Sequence, residues 1–222
     1  MTAVVIPVKD RLDLTSALVA QLHEQGEASA VLVYDNGSTA ESRRGLDRLG
    51  VDVFDAEGWN IHEMWNAGLD EAARRGAGYV AVLNNDIRIG PRFLSGLAAV
   101  MDADPHLAAV CPNYDGRPGT GVVYTQEICA GRYDGTGGFA GFAFMLDGAC
   151  DYRFPEGLRW WFGDNDLLAS IVTSGLRAGI ALDVTCEHVD GGSQTADWDA
   201  PDLRQVLAED QRRFLAKWSC VA

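Results

Sequence analysis

An apolar run that ends in a polar cluster occupies residues 79–86. Residues 79–83 carry no charged side chain, and Asn84, Asn85 and Asp86 follow at once. Such a run predicts a strand buried on both faces, which is typical of a parallel sheet covered by helices. Ligands of open α/β sheets bind at the carboxyl ends of the strands, so Asp86 stands where a diphosphate or its metal ion is expected. The alternative is that the three polar residues only begin a turn.

Two other predicted strands also lead into carboxylates. Residues 4–8 form a short apolar run followed by Lys9 and Asp10, and residues 30–34 run into Asp35. In a parallel sheet the carboxyl ends of such strands lie at one edge. We therefore expect these residues to lie at the same edge as Asp86, and Asp35 also fits the start of a turn bonded to its own backbone.

A further pair of carboxylates follows a group of aromatic residues. Asp164 comes shortly after Trp160, Trp161 and Phe162. A carboxylate in a partly desolvated pocket has a raised pKa, which suits a general base. Asp166 is the rival for this role, or else the N-cap of a helix predicted at residues 167–174. The two indole rings offer flat apolar faces to a ligand, or they pack in the core.

The elements that must position these residues alternate between strand and helix in the first hundred residues. A further strand is expected at 51–54, and periodic apolar positions predict helices at 13–25, 42–49, 61–75 and 91–101, with Pro91 in a first turn. Strands are then expected at 107–111, 121–128, 139–146 and 180–182, with helices at 167–174 and near 203–215. This order predicts an α/β fold, with a Rossmann-like, mostly parallel central sheet flanked by helices and a mixed extension.

Composition excludes several classes of partner. The 222 residues carry a formal net charge of −14, whereas binding to nucleic acid or to an anionic membrane needs clustered Lys and Arg. No apolar run approaches the roughly 18 residues of a membrane span, and the N-terminus lacks the pattern of a signal peptide. The five cysteines form no Cys-x-x-Cys pair, which argues against a disulfide framework or a thiolate zinc site. We expect a soluble, cytoplasmic protein without a transmembrane segment.

Six short segments resemble, in the same order, the motifs of family 2 glycosyltransferases of the GT-A fold, particularly the rhamnosyltransferase-like members. They are the opening strand with Lys9 and Asp10, the Asp-Asn-Gly-Ser turn at 35–38, the asparagine and glycine element from Asn60 to Gly68, the Asp-x-Asp-like residues 84–86, the segment 163–167 and the loop from His188 to Ser193. The resemblance extends over nearly the whole chain. Two positions depart from it, because Asn84 replaces the first Asp of the metal motif and Gly163 stands where an acidic residue is frequent.

The resemblance implies an inverting glycosyltransferase that moves a hexosyl or deoxyhexosyl group from a nucleoside diphosphate sugar, a UDP- or dTDP-sugar, to an acceptor hydroxyl. A glycan, a lipid-linked molecule or a protein would be the acceptor. A divalent metal, Mn²⁺ or Mg²⁺, held by Asp86 and His188 would neutralise the charge of the leaving diphosphate. For His188 the alternative is a loop histidine bonded to backbone. One domain, residues 1–222, would combine a nucleotide-sugar-binding half at 1–103 with an acceptor-binding half and a C-terminal helix at 104–222.

The same resemblance assigns the remaining site residues. Asp164 would be the general base, Asp35 would accept a hydrogen bond from the nucleotide base, and Asp10 would contact the ribose. The donor-binding set is Pro7, Val8, Lys9, Asp10, Asp35, Asn60, Asn66, Asn84, Asn85 and Asp86. The acceptor-binding set is Gly141, Trp160, Trp161 and Asp166.

Three other functions compete with this one. A non-catalytic module of the same fold would bind a nucleotide sugar or a glycan without transferring it, and Asn84 is its main support. A sugar-nucleotide pyrophosphorylase would need a glycine- and arginine-rich phosphate loop after the first strand, and residues 9–13 do not form one. A dehydrogenase would need a Gly-x-Gly-x-x-Gly motif after a strand, and the sequence has none there.

Overall fold

The first half of the chain alternates strands with helices. The computed structural model describes residues 1–125, 138–189 and 201–218. Its elements up to residue 103 are β1 (Thr2–Val8), α1 (Leu12–Gln25), β2 (Ala28–Asp35), α2 (Ala40–Leu46), β3 (Asp52–Asp55), α3 (Ile61–Arg74), β4 (Tyr79–Leu83), β5 (Ile87–Ile89) and α4 (Phe93–Ala103). The second half adds β6 (Leu107–Asn113), β7 (Val122–Thr125), β8 (Ala143–Asp147), α5 (Gly163–Thr173), β9 (Arg177–His188) and α6 (Pro201–Trp218).

The described strands form one mixed sheet. Their order is β3-β2-β1-β4-β8-β6-β9-β5, and β7 lies beside β9. Strands β3, β2, β1 and β4 run parallel, as connections through helices allow. Strand β8 runs antiparallel to both β4 and β6, whereas β9 runs parallel to β6. The predicted α/β fold, parallel in its first half and mixed beyond it, is therefore confirmed.

Apolar layers on the two faces of the sheet hold the helices in place. Successive side chains of a strand point to opposite faces. Val5 and Leu32 therefore pack in one layer with Trp65 of α3, whereas Ile6 packs in the other with Leu18 of α1. The strand order reverses between β1 and β4. Because crossovers are right-handed, this reversal places α1 and α3 on opposite faces. In open α/β sheets this reversal leaves a crevice at the carboxyl ends of the strands.

Some element boundaries differ from the prediction. Helix α5 begins at Gly163 instead of residue 167, because Phe162 adopts a left-handed φ of 63° and is the N-cap. Asp166 therefore lies inside the helix, and its predicted N-cap position is wrong. Helix α4 begins at Phe93 after the left-handed N-cap Arg92, so Pro91 precedes the first turn. Strand β5 was missed because three residues are too few for a periodic signal.

The described cysteines are free thiols. Cys111 and Cys186 are buried and Cys150 is half-buried, while Cys129 and Cys220 lie outside the described residues. Burial raises the pKa of the Cys111 and Cys186 thiols to about 12, so both stay protonated and unreactive near neutral pH. None of the described helices has the length and apolar character needed to cross a membrane.

Candidate active site

A pocket of about 280 Å³ opens at the carboxyl ends of β1 and β4. It occupies the crevice where the strand order reverses, which is the usual ligand site of this sheet type. The wall consists of Pro7, Val8, Lys9, Asn36, Ile61, Met64, Asn84, Asn85, Asp86 and Trp160. The fold thus brings together six of the residues that the sequence assigned to donor binding: residues 7–9 and residues 84–86.

Asp86 and His188 are in contact although they are far apart in the chain. Oδ1 of Asp86 lies 3.1 Å from Nε2 of His188. Strand β5 begins directly after Asp86 and pairs antiparallel with β9 so that Ile87 lies opposite His188. The ring of Phe142 stacks on the imidazole with 4.3 Å between centroids. The strand register therefore joins the two predicted metal ligands, while the rest of their loop, residues 190–193, lies outside the described residues.

The atoms around Asp86 suit a divalent cation. Asp86 offers a carboxylate oxygen and His188 an imidazole nitrogen, and the buried Oδ1 of Asn84 accepts no hydrogen bond from the described residues. Oxygen ligands with one imidazole are compatible with Mn²⁺. In the described part of the chain, no group of three or more His, Cys, Asp or Glu side chains could hold an ion. A cation here would therefore need further oxygens from a bound phosphate or from water, as metals at nucleotide sites commonly do.

Asp35 is tied to its own loop. The carboxylate is 2% exposed; its Oδ1 accepts the Ser38 N–H at 3.0 Å, and its Oδ2 pairs with Arg43 at 3.1 Å. The predicted turn, in which Asp35 bonds to its own backbone, is therefore present. The contact of Asp35 with a nucleotide base stays a prediction. The next residue, Asn36, lines the pocket instead. Its amide accepts the Gly58 N–H at 3.0 Å and donates to the Trp59 carbonyl at 2.9 Å.

Asp10 links the loop after β1 to the loop after β2. Asp10 and Arg11 both have a left-handed φ, of 55° and 47°. The N–H of Asp10 donates to Oγ of Ser38 at 2.7 Å, and its Oδ1 accepts the Thr39 N–H at 2.8 Å. The bond from Thr39 lowers the pKa of the Asp10 carboxyl. These bonds fix the rim of the crevice, and the ribose contact of Asp10 stays a prediction.

Asn60 and Asn66 have structural roles that differ from the predicted donor contacts. Asn60 is the N-cap of α3, where its Oδ1 accepts the N–H groups of His62 and Glu63 at 2.9 and 3.1 Å. The Asn66 amide donates to the carbonyl of Phe154 and accepts its N–H, both at 2.8 Å. The residues of α3 that line the pocket are Ile61 and Met64. The N-cap position before an amphipathic helix was the available signal for the role of Asn60.

Asp164 is the second residue of α5 and is partly exposed. Burial raises the pKa of its carboxyl, and the backbone N–H of Asn165, which donates to Oδ1 at 2.9 Å, opposes that rise. A raised pKa is the direction of shift that suits a carboxylate acting as a general base. Its other oxygen, Oδ2, lies against Gly141 so closely that a β-carbon at residue 141 would stand 2.6 Å away. The fold thus places Gly141, predicted for the acceptor side, beside the predicted base.

Asp166 is enclosed by protein groups. It is 1% exposed and accepts hydrogen bonds from the Tyr152 hydroxyl at 3.0 Å, from Lys217 at 2.8 Å and from Trp218 Nε1 at 2.9 Å. The carboxylate therefore attaches α5 to the end of α6, and the structure offers no support for its predicted contact with an acceptor. Sequence reasoning missed this role because Lys217 and Trp218 come from a distant helix.

The two neighbouring tryptophans differ in exposure. Trp160 is 37% exposed and lines the pocket, whereas Trp161 is half-buried. Only the first of them offers a wall to a ligand in this pocket. The predicted aromatic surface therefore adjoins the predicted donor residues directly.

Solved structures share this fold at low sequence identity. A crystal structure of S. aureus TarS 1-349 matches with a TM-score of 0.61 and 18% identity, covering 97% of this chain and 72% of that one. The mannosyltransferase PcManGT from Pyrobaculum calidifontis, in complex with GDP-Man and Mn²⁺, matches with a TM-score of 0.64 and 18% identity, covering 96% of this chain and 63% of that one. Mannosyl-3-phosphoglycerate synthase from Rubrobacter xylanophilus matches with a TM-score of 0.70 and 14% identity, covering 99% of this chain and 75% of that one. At these identities the likeness shows the GT-A fold.

The family follows from the sequence itself. No curated protein sequence matches the chain significantly. The model of glycosyl transferase family 2, however, matches residues 3–153, which is more than half of the chain. That range contains β1 from its second residue, β2 to β8, and every strand end that lines the pocket. The protein belongs to glycosyl transferase family 2.

Proposed function

We propose that the protein transfers a sugar from a nucleoside diphosphate sugar to an acceptor hydroxyl, with inversion at the anomeric carbon and with the help of a divalent metal. The observation that carries this proposal is the contact of Asp86 with His188 at 3.1 Å beside the pocket at the carboxyl ends of β1 and β4. Family membership and the fold support it. In this proposal residues 1–103 bind the donor, and residues 104–222 supply the base and bind the acceptor within one domain.

Asp86 and His188 would hold the metal together with phosphate oxygens. When bound, a divalent cation neutralises the charge that develops on the leaving diphosphate. Lys9 lines the same pocket and adds a positive charge near the predicted phosphate position. The PcManGT structure contains GDP-Man and Mn²⁺. A structure of glucosyl-3-phosphoglycerate synthase from Mycobacterium tuberculosis, similar in fold with a TM-score of 0.65 and 14% identity, contains Mg²⁺ and UDP. UDP and GDP are therefore the first nucleotides to test beside dTDP.

Asp164 would act as the general base. Direct displacement with inversion requires a group that removes the proton from the acceptor hydroxyl on the face opposite the leaving group. Burial raises the pKa of the Asp164 carboxyl, which makes it a stronger base than an exposed aspartate. Trp160 lines the donor pocket and lies four residues before the proposed base in the sequence. Its ring would give an apolar face to a sugar ring.

Calorimetric titration with UDP, dTDP and GDP, with and without Mn²⁺, tests the donor site. One nucleotide should bind more tightly with metal, and that gain should disappear in Asp86→Ala and in His188→Ala. Glu187→Ala is the matched control, because Glu187 lies beside His188 but pairs on the surface with Arg88 at 2.9 Å. No binding of any nucleotide to the wild-type protein would refute the donor site.

Turnover separates the enzyme from a non-catalytic binding module. Consumption of the matching nucleotide sugar should require Asp164 and should stop in Asp164→Asn while nucleotide binding persists. Metal-dependent nucleotide binding by the wild type, with no consumption of any of the three classes of nucleotide sugar, would favour the binding module. The identity of the sugar, a hexosyl or deoxyhexosyl group, follows from the same assay.

A further inference from the structure

Three consecutive backbone N–H groups converge on one buried carboxylate. Asp210 of α6 is 0% exposed. Its Oδ2 accepts the N–H of Trp160 at 2.9 Å and of Trp161 at 3.0 Å, and both of its oxygens lie 3.1 Å from the N of Arg159. Successive N–H groups in a turn form a concave anion-binding site. Here the bound anion is a side chain of the protein itself.

This arrangement fixes the segment that precedes α5. Hydrogen bonds to an ionised acceptor are stronger than those between neutral groups, and burial of the charge makes each of them necessary. On the N-terminal side, the carbonyl of Leu158 lies 2.8 Å from Nδ1 of the buried His62. On the C-terminal side, the ring of Phe162 stacks on Phe214 of α6 with 5.3 Å between centroids. Residues 158–162 are therefore held at both ends and in the middle.

Helix α6 also holds the chain beyond Asp164. Lys217 and Trp218 bind Asp166, two residues after the proposed base. The contacts of α6 thus lie on both sides of Asp164 in the sequence, and the contact of Asp210 lies at Trp160 in the wall of the pocket. Asp210 itself does not line the pocket in the described structure.

We propose that Asp210 is a positioning residue of the transfer reaction: it sets the place of Trp160 in the donor pocket and, through residues 161–163, the place of Asp164. The inference rests on the proposed function for its catalytic part only. Asp210→Asn removes the charge and turns a donor group toward at least one of the three N–H groups, so the turn should open. Reacting groups displaced by about 1 Å lose on the order of 100-fold in rate.

Fluorine NMR tests the structural part without any assay of activity. The protein labelled with 5-fluorotryptophan has six resonances, one for each tryptophan, and Trp160→Phe identifies the one of interest. In Asp210→Asn the Trp160 resonance should shift or broaden, while that of Trp65 in the core stays in place. Glu209→Gln is the control, because Glu209 is adjacent on α6 and bonds only to Gln205 among the described contacts, at 3.0 Å. An unchanged Trp160 resonance in Asp210→Asn would overturn the proposal.

Kinetics test the catalytic part. Asp210→Asn should lower kcat by about 10-fold to 100-fold and change the affinity for the nucleoside diphosphate with Mn²⁺ by less than about threefold, because Trp160 is proposed to face a sugar ring, whereas the proposed metal ligands Asp86 and His188 are joined by the pairing of β5 with β9. Equal losses of kcat and nucleotide affinity, in parallel with a fall in Tm, would indicate general destabilisation and contradict positioning. Should Asp210→Asn not fold, Asp210→Glu keeps the charge and displaces it by one methylene, with the same expected split.

The two proposals fail in different ways. A wild-type protein that neither binds nucleotides nor consumes a nucleotide sugar refutes the proposed function, and the fluorine spectra still decide whether Asp210 fixes Trp160. If the wild-type enzyme transfers sugar and the Asp210→Asn variant has an equal kcat, only the positioning role is refuted.

Discussion

Oδ2 of Asp164 lies so close to Gly141 that a β-carbon added at residue 141 would be 2.6 Å from it. Non-bonded carbon and oxygen atoms do not approach this closely, so the carboxylate keeps its position only because residue 141 has no side chain. Gly141→Ala should displace the Asp164 carboxylate and lower the transfer rate on the order of 100-fold, with little change in nucleotide affinity. Steady-state kinetics and calorimetry on the same preparation measure both quantities.

Gly138→Ala is the control for this substitution. A β-carbon at residue 138 would meet no atom of the described residues within 4 Å, so the variant should keep the wild-type rate. Equal rates for Gly141→Ala and the wild type would mean that the carboxylate of Asp164 does not need its observed position.

Asp164→Asn should raise the Tm at neutral pH. Burial holds the pKa of Asp164 above its usual 3.8. Between 3.8 and that raised value the folded state binds more protons than the unfolded state, so the free energy of unfolding falls as pH rises through this window and stays lower above it. Asparagine carries no charge and still accepts the N–H of Asn165. Thermal melts should show a gain at neutral pH that shrinks toward pH 3.8; a lower Tm at neutral pH would contradict a desolvated carboxylate.

The pH dependence of transfer should follow the same group. A general base acts in its ionised form, so kcat/KM should decline as pH falls through the raised pKa of Asp164, above 3.8. Rates measured across a pH series in which Tm is monitored separate this decline from unfolding. An acid limb that stays at or below 3.8 would argue that another residue is the base.

Asn66→Ala should destabilise the protein and leave the donor site intact. The change removes two hydrogen bonds of 2.8 Å to the backbone of Phe154, whose side chain is buried, and an unpaired buried amide group costs about 1–3 kcal/mol. Urea denaturation measures the loss. Weaker nucleotide binding at an unchanged free energy of unfolding would instead restore the donor contact predicted from sequence.

His62 occupies the space beside Gly163. A β-carbon at residue 163 would overlap Nε2 of His62, so Gly163→Ala should destabilise the fold. His62→Ala should relieve the overlap, and the double variant should lose less stability than the sum of the single variants, by about 0.5–3 kcal/mol of coupling. Additive losses would show that the histidine is not the obstacle. The same overlap explains physically why an acidic side chain does not fit at this position.

The sequence predicted well where a local pattern carries the information. Alternation of strands and helices predicted the parallel half of the sheet, and the apolar run at 79–83 with its polar end predicted β4 and the pocket residues 84–86. The contact of Asp86 with His188 was expected from the family resemblance, and its cause, the pairing of β5 with β9, was not visible because β5 has only three residues.

The sequence could not predict which polar groups the fold would use for itself. Asn60 and Asn66 were assigned to the donor, but a capping position and the backbone of Phe154 take up their amides. Asp166 was assigned to the acceptor, but α6 supplies Lys217 and Trp218 to it. The partner in the last two cases lies more than fifty residues away in the chain, where no local spacing reports it.

By itself, the sequence determined the fold class, the edge of the sheet at which the pocket opens, and the family, because strand periodicity, polar strand ends and motif order are local properties of the chain. The tertiary structure decided which side chains face the pocket and which support it. Asn36, Ile61, Met64 and Trp160 joined the pocket wall, and Asp210 became the anchor of Trp160. These outcomes depend on strand register and on the docking of α6, and both are set by long-range packing that sequence spacing does not encode.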